Sequence, residues 1–536
     1  MRTAEAIIEC LKNENVTTIF GYPGATVVPL YEALRKSDLR HILVRHEQAA
    51  GHIASGFARI SRGIGVCITT SGPGATNIIT SIATAYMDSI PLIIITGQVS
   101  SNLIGRDVFQ EADITGATES FTKHNYLVKE GKDIPRIIKE AFYIARTGRP
   151  GPVLIDIPID VQREEIKFSY PSAIDIRGYK PNINGHKWQI KKAIKKIEES
   201  KKPLICVGGG IVAANARLEL KRFVEKSKIP VVHTLMGKDD MDVGEPYYVG
   251  LIGSHGFSYA NKAISNSDLI ILVGTRIADR STVKDTHVDK NARIIHIDID
   301  PAEIGKNLKI DIPVVGDCKN ILSKMADKIQ PGDYIKWVEE IKKWKDSEEK
   351  IYEYNDSVNP KKIIKLTSDE MRDTAIITTD VGQNQIWCAR NFKIFGKRRF
   401  ITSGGLGTMG YSLPSAIGAK MANPDEDVIA VMGDGGFQMS LFELATIKEN
   451  NLNIKIIVFN NSGLGMVREI QKFEYEGEFG VEFKCNPDFV KIAEAYNIRG
   501  KKVYSNKEFI ETFKEIQKSD SAFLIECIVD SNESTL

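Results

Sequence analysis

Short apolar runs alternate with amphipathic stretches along the whole chain. Ile64–Thr69, Leu92–Thr96, Val153–Ile157, Leu204–Val207, Leu269–Val273, Ile294–Ile297, Ala375–Thr379, Val428–Met432 and Ile454–Phe459 are strand-length and rich in β-branched residues. Continuous apolar runs of this kind, separated by helical patterns, predict strands buried on both faces of parallel sheets. Each run ends at Gly, Asp, Asn or Thr, at the strand edge where ligands gather in open α/β sheets. Met1–Ile8 carries early acids and has no signal-like apolar core; it predicts an amphipathic helix.

Two stretches interrupt the rhythm. Arg163–Lys202 is polar and lysine-rich, with Pro171, Pro181 and Gly185; Pro331–Lys362 is charged, with a helix-like Trp337–Tyr354 segment before Asn359-Pro360. Both read as connections that run over the surface. They divide the 536 residues into three units, 1–165, 190–328 and 360–536, each of ordinary domain size. The expected fold is α/β, with three doubly wound parallel-sheet domains.

Composition narrows the function classes. Lys+Arg number 71 against 69 Asp+Glu, a net charge of +2, which gives no electrostatic reason to expect nucleic acid or a membrane surface as partner. No apolar run reaches the roughly 18–20 residues that cross a bilayer. The seven cysteines are scattered, odd in number and without a CxxC pair. That pattern predicts buried free thiols in a reducing cytoplasm.

The most informative segment is Gly433-Asp434-Gly435-Gly436-Phe437, followed by Asn460-Asn461-Ser462-Gly463. Each piece follows a predicted strand, and Ser440–Glu449 between them reads as a helix. Strand, loop, helix, strand, loop puts both loops on one edge of a parallel sheet. Asp434 and Asn461, 27 positions apart, should then be neighbours. One carboxylate, one amide oxygen and a backbone carbonyl, completed by phosphate oxygens, suit Mg²⁺ or Ca²⁺. The glycines let backbone N–H groups approach a diphosphate. In the middle unit, Gly208-Gly209-Gly210 after a strand could cradle a pyrophosphate, although the full GxGxxG is absent and a tight strand-to-helix turn has the same pattern. Arg45-His46-Glu47-Gln48-Ala49-Ala50 places a glutamate in a helix's first turn, where the helix dipole alone favours it.

GDG, then NN after roughly two dozen residues, resembles the signature of thiamine-diphosphate enzymes. The resemblance runs nearly the whole chain and is closest to acetolactate (acetohydroxyacid) synthase catalytic subunits. It is carried by Phe20-Gly21-Tyr22-Pro23-Gly24, Thr70–Asn77, Ala85–Pro91, Phe109–Asp113, Thr122–Tyr126 and Arg149–Val153 in the first unit. The three units then correspond to a pyrimidine-binding, a central FAD-binding-like and a diphosphate-binding domain. The resemblance implies that Asp434, Asn461 and the carbonyl of Gly463 hold Mg²⁺. Gly433, Gly435, Gly436, Leu464, Gly465 and Met466 would surround the diphosphate, with Val381, Gly382, Gln383 and Asn384 as a second loop. Pro23, Thr70, Pro73 and Asn77 would meet the pyrimidine side. Glu47 matches the glutamate that activates the cofactor, a role requiring a buried carboxyl desolvated enough to share a proton. Met409, beside Gly407, matches the wedge that bends the cofactor.

The same resemblance assigns FAD, in a structural role, to Gly208, Gly209, Gly210, Thr234, Leu235, Met236, Gly274, Arg276, Asp298, Ile299 and Asp317. Phe109 and Gln110 would line the reaction space, and Arg276 would pair with the acceptor's carboxylate. Four features depart from the family pattern. Ile159 stands where lysine is usual, Ile470 where a tryptophan favours a larger acceptor, and Ala25 where a second glycine is usual; the Pro-rich C-terminal tail is not expected here. All four lie on the substrate side. The implied reaction decarboxylates a 2-oxo acid such as pyruvate and ligates the two-carbon unit to a second 2-oxo acid. The alternatives are a decarboxylase or carboligase for another oxo acid or an aldehyde acceptor, a nicotinamide-dependent dehydrogenase built on Gly208–Gly210, and a non-catalytic paralogue. The resemblance also implies a homodimer or homotetramer and allows a small regulatory subunit.

Overall fold

The computed structural model describes residues 1–278, 280, 292–348 and 356–535. The first sheet comprises β1 (Thr18–Tyr22), β2 (Arg40–Leu43), β3 (Gly65–Thr69), β4 (Leu92–Gln98), β5 (His124–Leu127) and β6 (Val153–Pro158). The second comprises β7 (Pro203–Val207), β8 (Val231–His233), β9 (Tyr248–Leu251), β10 (Leu269–Val273), β11 (Arg293–Asp298) and β12 (Ile312–Val315). The third comprises β13 (Ile376–Thr379), β14 (Arg399–Ile401), β15 (Val428–Gly433), β16 (Ile454–Asn460), β17 (Arg499–Val503) and β18 (Phe523–Ile528). The nine strands read from the apolar runs are all present, with no end shifted by more than two residues.

Every strand pair in the three sheets is parallel. The first sheet runs β2-β1-β3-β4-β6-β5 and the third β14-β13-β15-β16-β18-β17. Counted within each sheet, the two orders are the same. The middle sheet, β12-β11-β10-β7-β8-β9, has the order of a dinucleotide-binding fold. Such sheets bind ligands where the strand order reverses, here between β1 and β3, β7 and β10, and β13 and β15.

The first and third domains share a core. The helix Glu47–Ser61 packs against the helix Ser412–Ala422, with Ala50, Ile53, Ala54 and Ala58 meeting Leu413, Ala416, Ile417 and Ala419. Two glycines permit the approach: a Cβ at Gly56 would lie 2.0 Å from the Ser415 carbonyl oxygen, and one at Gly418 1.8 Å from that of Ile53. Glu443 of the third domain is buried and accepts from the Arg45 N–H at 2.8 Å, anchoring the turn before Glu47.

Both interrupting stretches differ from the surface connections expected of them. Lys187–Glu198 is a helix whose Ile190, Ala193, Ile194 and Ile197 enter the middle core, because their spacing makes one apolar stripe among lysines. Ile335–Glu348 is also a helix, and Trp337 and Ile341 are buried in that same core. The rest of the Trp337–Tyr354 segment lies outside the described residues. The expected helix over Ser440–Glu449 is a 3₁₀ turn, Leu441–Glu443, leading into Leu444–Glu449, and a short helix, Asp434–Gln438, precedes it. Six cysteines are buried as expected, but Cys485 is exposed. No helix among the described residues is long and apolar enough to cross a membrane.

Candidate active site

The switch point of the third sheet brings together Asp380–Asn384 after β13 and Gly433–Phe437 after β15, with Asn461–Met466 following β16. Asp434 is buried. Its Oδ1 accepts from Gly435 N at 3.1 Å, and its Oδ2 from Gly463 N at 3.1 Å and Asn486 Nδ2 at 2.7 Å. Burial pushes the carboxyl up from its usual range, and these hydrogen bonds oppose the push. Asn461, also buried, donates Nδ2 to Gln383 Oε1 at 2.9 Å, and its own Oδ1 has no hydrogen-bond partner among the described residues. Asn384 Oδ1 is in the same state. Buried oxygens without donors are rare, and a hard cation next to a carboxylate would satisfy them. Among the described residues no three His, Cys, Asp or Glu side chains cluster as a metal site, so such a cation would rely on amide and phosphate oxygens. Gly382 (φ +126°) and Gly407 (φ +75°) hold backbone conformations that exclude most side chains, and a Cβ at Gly436 would lie 2.7 Å from Asp380 Oδ1.

Two buried carboxylates place the loop that carries Met409. Asp380 accepts from the N–H groups of Val381 (2.9 Å), Gly410 (3.0 Å) and Ser412 (3.1 Å), and burial pushes it up to about 6 against those bonds. Asp88 of the first domain accepts from Gly405 N at 2.7 Å and pairs with Arg59 at 3.0 Å. Met409 itself is half-buried. Asp380 is legible in the sequence only as the start of the second diphosphate loop, and Asp88, Glu443 and Asn486 have no individual role there. The one available signal was a carboxylate or amide ending an apolar run, which does not disclose its partner.

In the first domain, Pro23–Ala25 follow β1 and Thr70–Asn77 follow β3, on either side of the switch point. Thr26 and Thr70 bond through their hydroxyls at 2.9 Å, and a Cβ at Gly24 would lie 2.5 Å from the Thr70 side chain. Gln110 has a positive φ of 58° and packs on Gly72, where a Cβ would lie 2.9 Å from its Cα. Pro23, Ala25, Pro73 and Asn77 are exposed, and Phe109 is 87% exposed. Glu47 opens its helix beside them and accepts from Asn77 Nδ2 at 3.0 Å, its one hydrogen-bond partner as a side chain among the described residues. It is half-buried rather than buried as expected, at a strand edge where Pro23, Pro73 and Asn77 are exposed as well. Ile159, half-buried, directly follows β6.

A cavity of about 910 Å³ joins the middle switch point to the third domain. Gly209, Gly210, Thr234, Leu235, Met236, Gly274, Arg276, Asp298, Ile299 and Asp317 line it, and it extends to Val381, Gly382, Gly407, Met466 and Ile470. Gly208 does not line it. Its role is close packing, since a Cβ there would lie 2.6 Å from the Gly274 carbonyl oxygen; one at Gly210 would lie 2.5 Å from Gly274 Cα. The two glycine turns thus leave backbone, not side chains, at the point of strand reversal, as a dinucleotide requires. Asp298 accepts from Asp300 N at 2.9 Å, and burial pushes it up to about 6. Asp317 caps the helix Cys318–Lys328 through Asn320 N at 3.1 Å. The Arg276 guanidinium makes no ion pair among the described residues, and burial pulls its pKa below the ordinary value. Arg149 closes the cavity's rim by bridging Ser89 (2.9 Å) to Glu303 (3.0 Å).

The end of the described chain also reaches this region. Trp387 Nε1 donates to the Ser534 carbonyl at 3.0 Å and Arg468 to that of Ser531 at 2.9 Å. A short C-terminal segment therefore packs on the helices Gln383–Asn391 and Gly465–Glu474.

Three family models match in order: thiamine pyrophosphate enzyme N-terminal TPP binding domain at residues 1–117, central domain at 190–325 and C-terminal TPP binding domain at 380–527. A probable acetolactate synthase large subunit of Methanocaldococcus jannaschii is 46% identical, over 100% of this chain and 93% of its own length. Acetolactate synthase large subunits of Corynebacterium glutamicum and Lactococcus lactis are 43% and 42% identical, each over 99% of this chain and over 87% and 93% of their own lengths. Similarity that continues through all three domains removes the dehydrogenase alternative, which explained only the middle glycines. The chain belongs to the acetolactate synthase large-subunit family of thiamine pyrophosphate enzymes.

Proposed function

We propose that the protein decarboxylates a 2-oxo acid, pyruvate in the first instance, and ligates the two-carbon unit to a second 2-oxo acid, the step that opens branched-chain amino acid synthesis. The observation that carries the reading is the cavity joining two distinct chemistries. At one end it reaches Val381, Gly382 and Met466, on the loops that flank Asp434 and the Asn461 oxygen, and within it stands Arg276, which makes no ion pair among the described residues. Thiamine diphosphate, when bound, supplies the nucleophilic carbon and the electron sink for this chemistry.

The chain's residues divide the remaining work. Asp434, Asn461 and the Gly463 carbonyl would hold Mg²⁺, and the glycine turns would let backbone N–H groups meet the diphosphate. Glu47 would share a proton, at a carboxylate oxygen, with the pyrimidine ring nitrogen. Met409, on a loop pinned by Asp380 and Asp88, would support the cofactor's bend. Arg276 would pair with the acceptor's carboxylate, and Gln110 with Phe109 would orient its carbonyl. FAD would lie against Gly209, Gly210 and Gly274 in a structural role.

Glu47 bonds within the first domain, and Asp434 within the third. This supports completion of each site by a second copy, in a homodimer or homotetramer. The large-subunit naming of the relatives supports a small regulatory partner. Buried free thiols and near-neutral charge support a cytoplasmic enzyme that uses neither nucleic acid nor membrane.

A second reading, a different oxo acid or an aldehyde as acceptor, is favoured by Ile470, which lines the cavity where the family usually has tryptophan. One assay separates them. Purified protein is incubated with thiamine diphosphate, Mg²⁺ and pyruvate, with and without FAD, and CO₂ and acetolactate are followed. Both products are expected. CO₂ with acetaldehyde alone removes the ligase reading, and no turnover on pyruvate moves the substrate to another oxo acid.

A further inference from the structure

Beside the metal site, one carboxylate is placed to dictate the direction of two amides. Glu469 lies on the helix Gly465–Glu474, with Oε2 accepting from Gln383 Nε2 at 3.0 Å. The same Gln383 nitrogen donates to the Glu533 carbonyl at 2.8 Å. A carboxylate and a carbonyl can only accept, so together they fix which end of the Gln383 amide is NH₂. Its oxygen is thereby turned to Asn461, which must answer with its own NH₂, at 2.9 Å. What remains of Asn461 is its buried Oδ1, which has no hydrogen-bond partner among the described residues.

The sequence of donors and acceptors therefore runs one way, from Glu469 through Gln383 to an Asn461 oxygen free for a cation. Two further observations show that the arrangement is built tightly. A Cβ at Gly465 would lie 1.9 Å from Gln383 Oε1 and 2.4 Å from Asn461 Nδ2, so only glycine lets this helix close on the pair. Glu469 is itself held by Thr535, whose hydroxyl donates to Oε1 at 2.8 Å, and by the Ser534 hydroxyl at 2.8 Å. Thr535 is 1% exposed, so the contact is sheltered from water.

We propose that Glu469 is a positioning residue for the metal: through Gln383 it turns the Asn461 oxygen toward a divalent cation held with Asp434. The inference rests on the metal-site reading given above. Without Glu469 only the Glu533 carbonyl opposes reversal of the Gln383 amide, and a reversed Gln383 would draw the Asn461 amide round with it, presenting NH₂ to the cation.

The test is Mn²⁺ binding to the full-length protein with thiamine diphosphate present, free Mn²⁺ being read by electron paramagnetic resonance. Glu469→Leu should weaken binding about tenfold or more, the loss typical of removing a group that orients a ligand. Glu469→Gln, whose carbonyl still accepts from Gln383, should stay close to the parent; this conservative variant separates direction from bulk and charge. Glu469→Leu added to Gln383→Leu should cost nothing further, because the two act in series. Asp434→Ala is the control. If it abolishes binding while Glu469→Leu binds Mn²⁺ like the parent, the relay is wrong and the metal site stands. If Asp434→Ala also binds like the parent, the metal-site reading fails and the relay with it. A lower melting temperature for Glu469→Leu with unchanged Mn²⁺ affinity assigns Glu469 a structural role and overturns the proposal.

Discussion

The backbone N–H of Gly463 donates to Oδ2 of Asp434 across 3.1 Å, joining the loop after β16 to the loop after β15. That bond holds the carboxylate that the proposed function gives to the cation. Asn486 supports it from the other side, at 2.7 Å from the same oxygen. Replacing Asn486 by alanine should weaken Mg²⁺ binding about tenfold in the presence of thiamine diphosphate, as loss of a ligand's supporting hydrogen bond does. Isothermal titration checks this, and unchanged affinity would show that Asn486 does not orient Asp434.

Glu47→Gln should leave folding and cofactor binding intact and lower turnover on the order of 10²-fold or more, because an amide cannot share the proton. Full activity in this variant would remove the activating role of Glu47.

Gly418 has no room for a methyl group, since its Cβ would stand 1.8 Å from the Ile53 carbonyl oxygen. The obstacle is backbone, which cannot rotate aside. Gly418→Ala should destabilise by about 1–3 kcal/mol and loosen the contact between first and third domains. Urea unfolding followed in both domains measures it.

Burial lowers the pKa of His52 from 6.5 to about 3, and its Nδ1 has no hydrogen-bond partner among the described residues. A base with a depressed folded pKa gives stability that is fully present above 6.5 and is lost as pH falls toward 3. Between pH 6.5 and 5 this one group should cost about 2 kcal/mol. His52→Phe keeps a ring against Tyr411, which His52 meets edge-on at 5.1 Å between centroids. Its unfolding free energy should fall less over that interval by about that amount. Parallel slopes in parent and variant would show that His52 takes up no proton on unfolding.

Ile470→Trp places an indole at the cavity wall. The initial-rate ratio for a longer-chain oxo acid over pyruvate as acceptor should rise, with decarboxylation little changed. An unchanged ratio would show that this wall does not select the acceptor.

The strands were legible because a strand buried on both faces must be apolar throughout, and its first polar residue marks the edge. For the same reason Asp434 and Asn461 could be placed side by side from spacing alone. Gln383, Glu469 and Asn486 could not. Their roles depend on which amide nitrogen faces which oxygen, and they stand 78, 8 and 25 positions from Asn461. The regular apolar stripe of the helix Lys187–Glu198 is masked in the sequence by the lysines that flank it.

By itself the sequence determined three parallel-sheet domains, the turns at their strand ends and the family to which they belong. Only the tertiary structure decided how those turns work together. It set the strand-order reversal that puts Gly210 against Gly274, the Gly56 and Gly418 contacts that lock first domain to third, and the one-way run of hydrogen bonds from Glu469 to Asn461. Apolar periodicity is a local property, written in neighbouring residues. Hydrogen-bond direction and backbone approach belong to groups far apart in the chain, and they exist only once packing has brought those groups together.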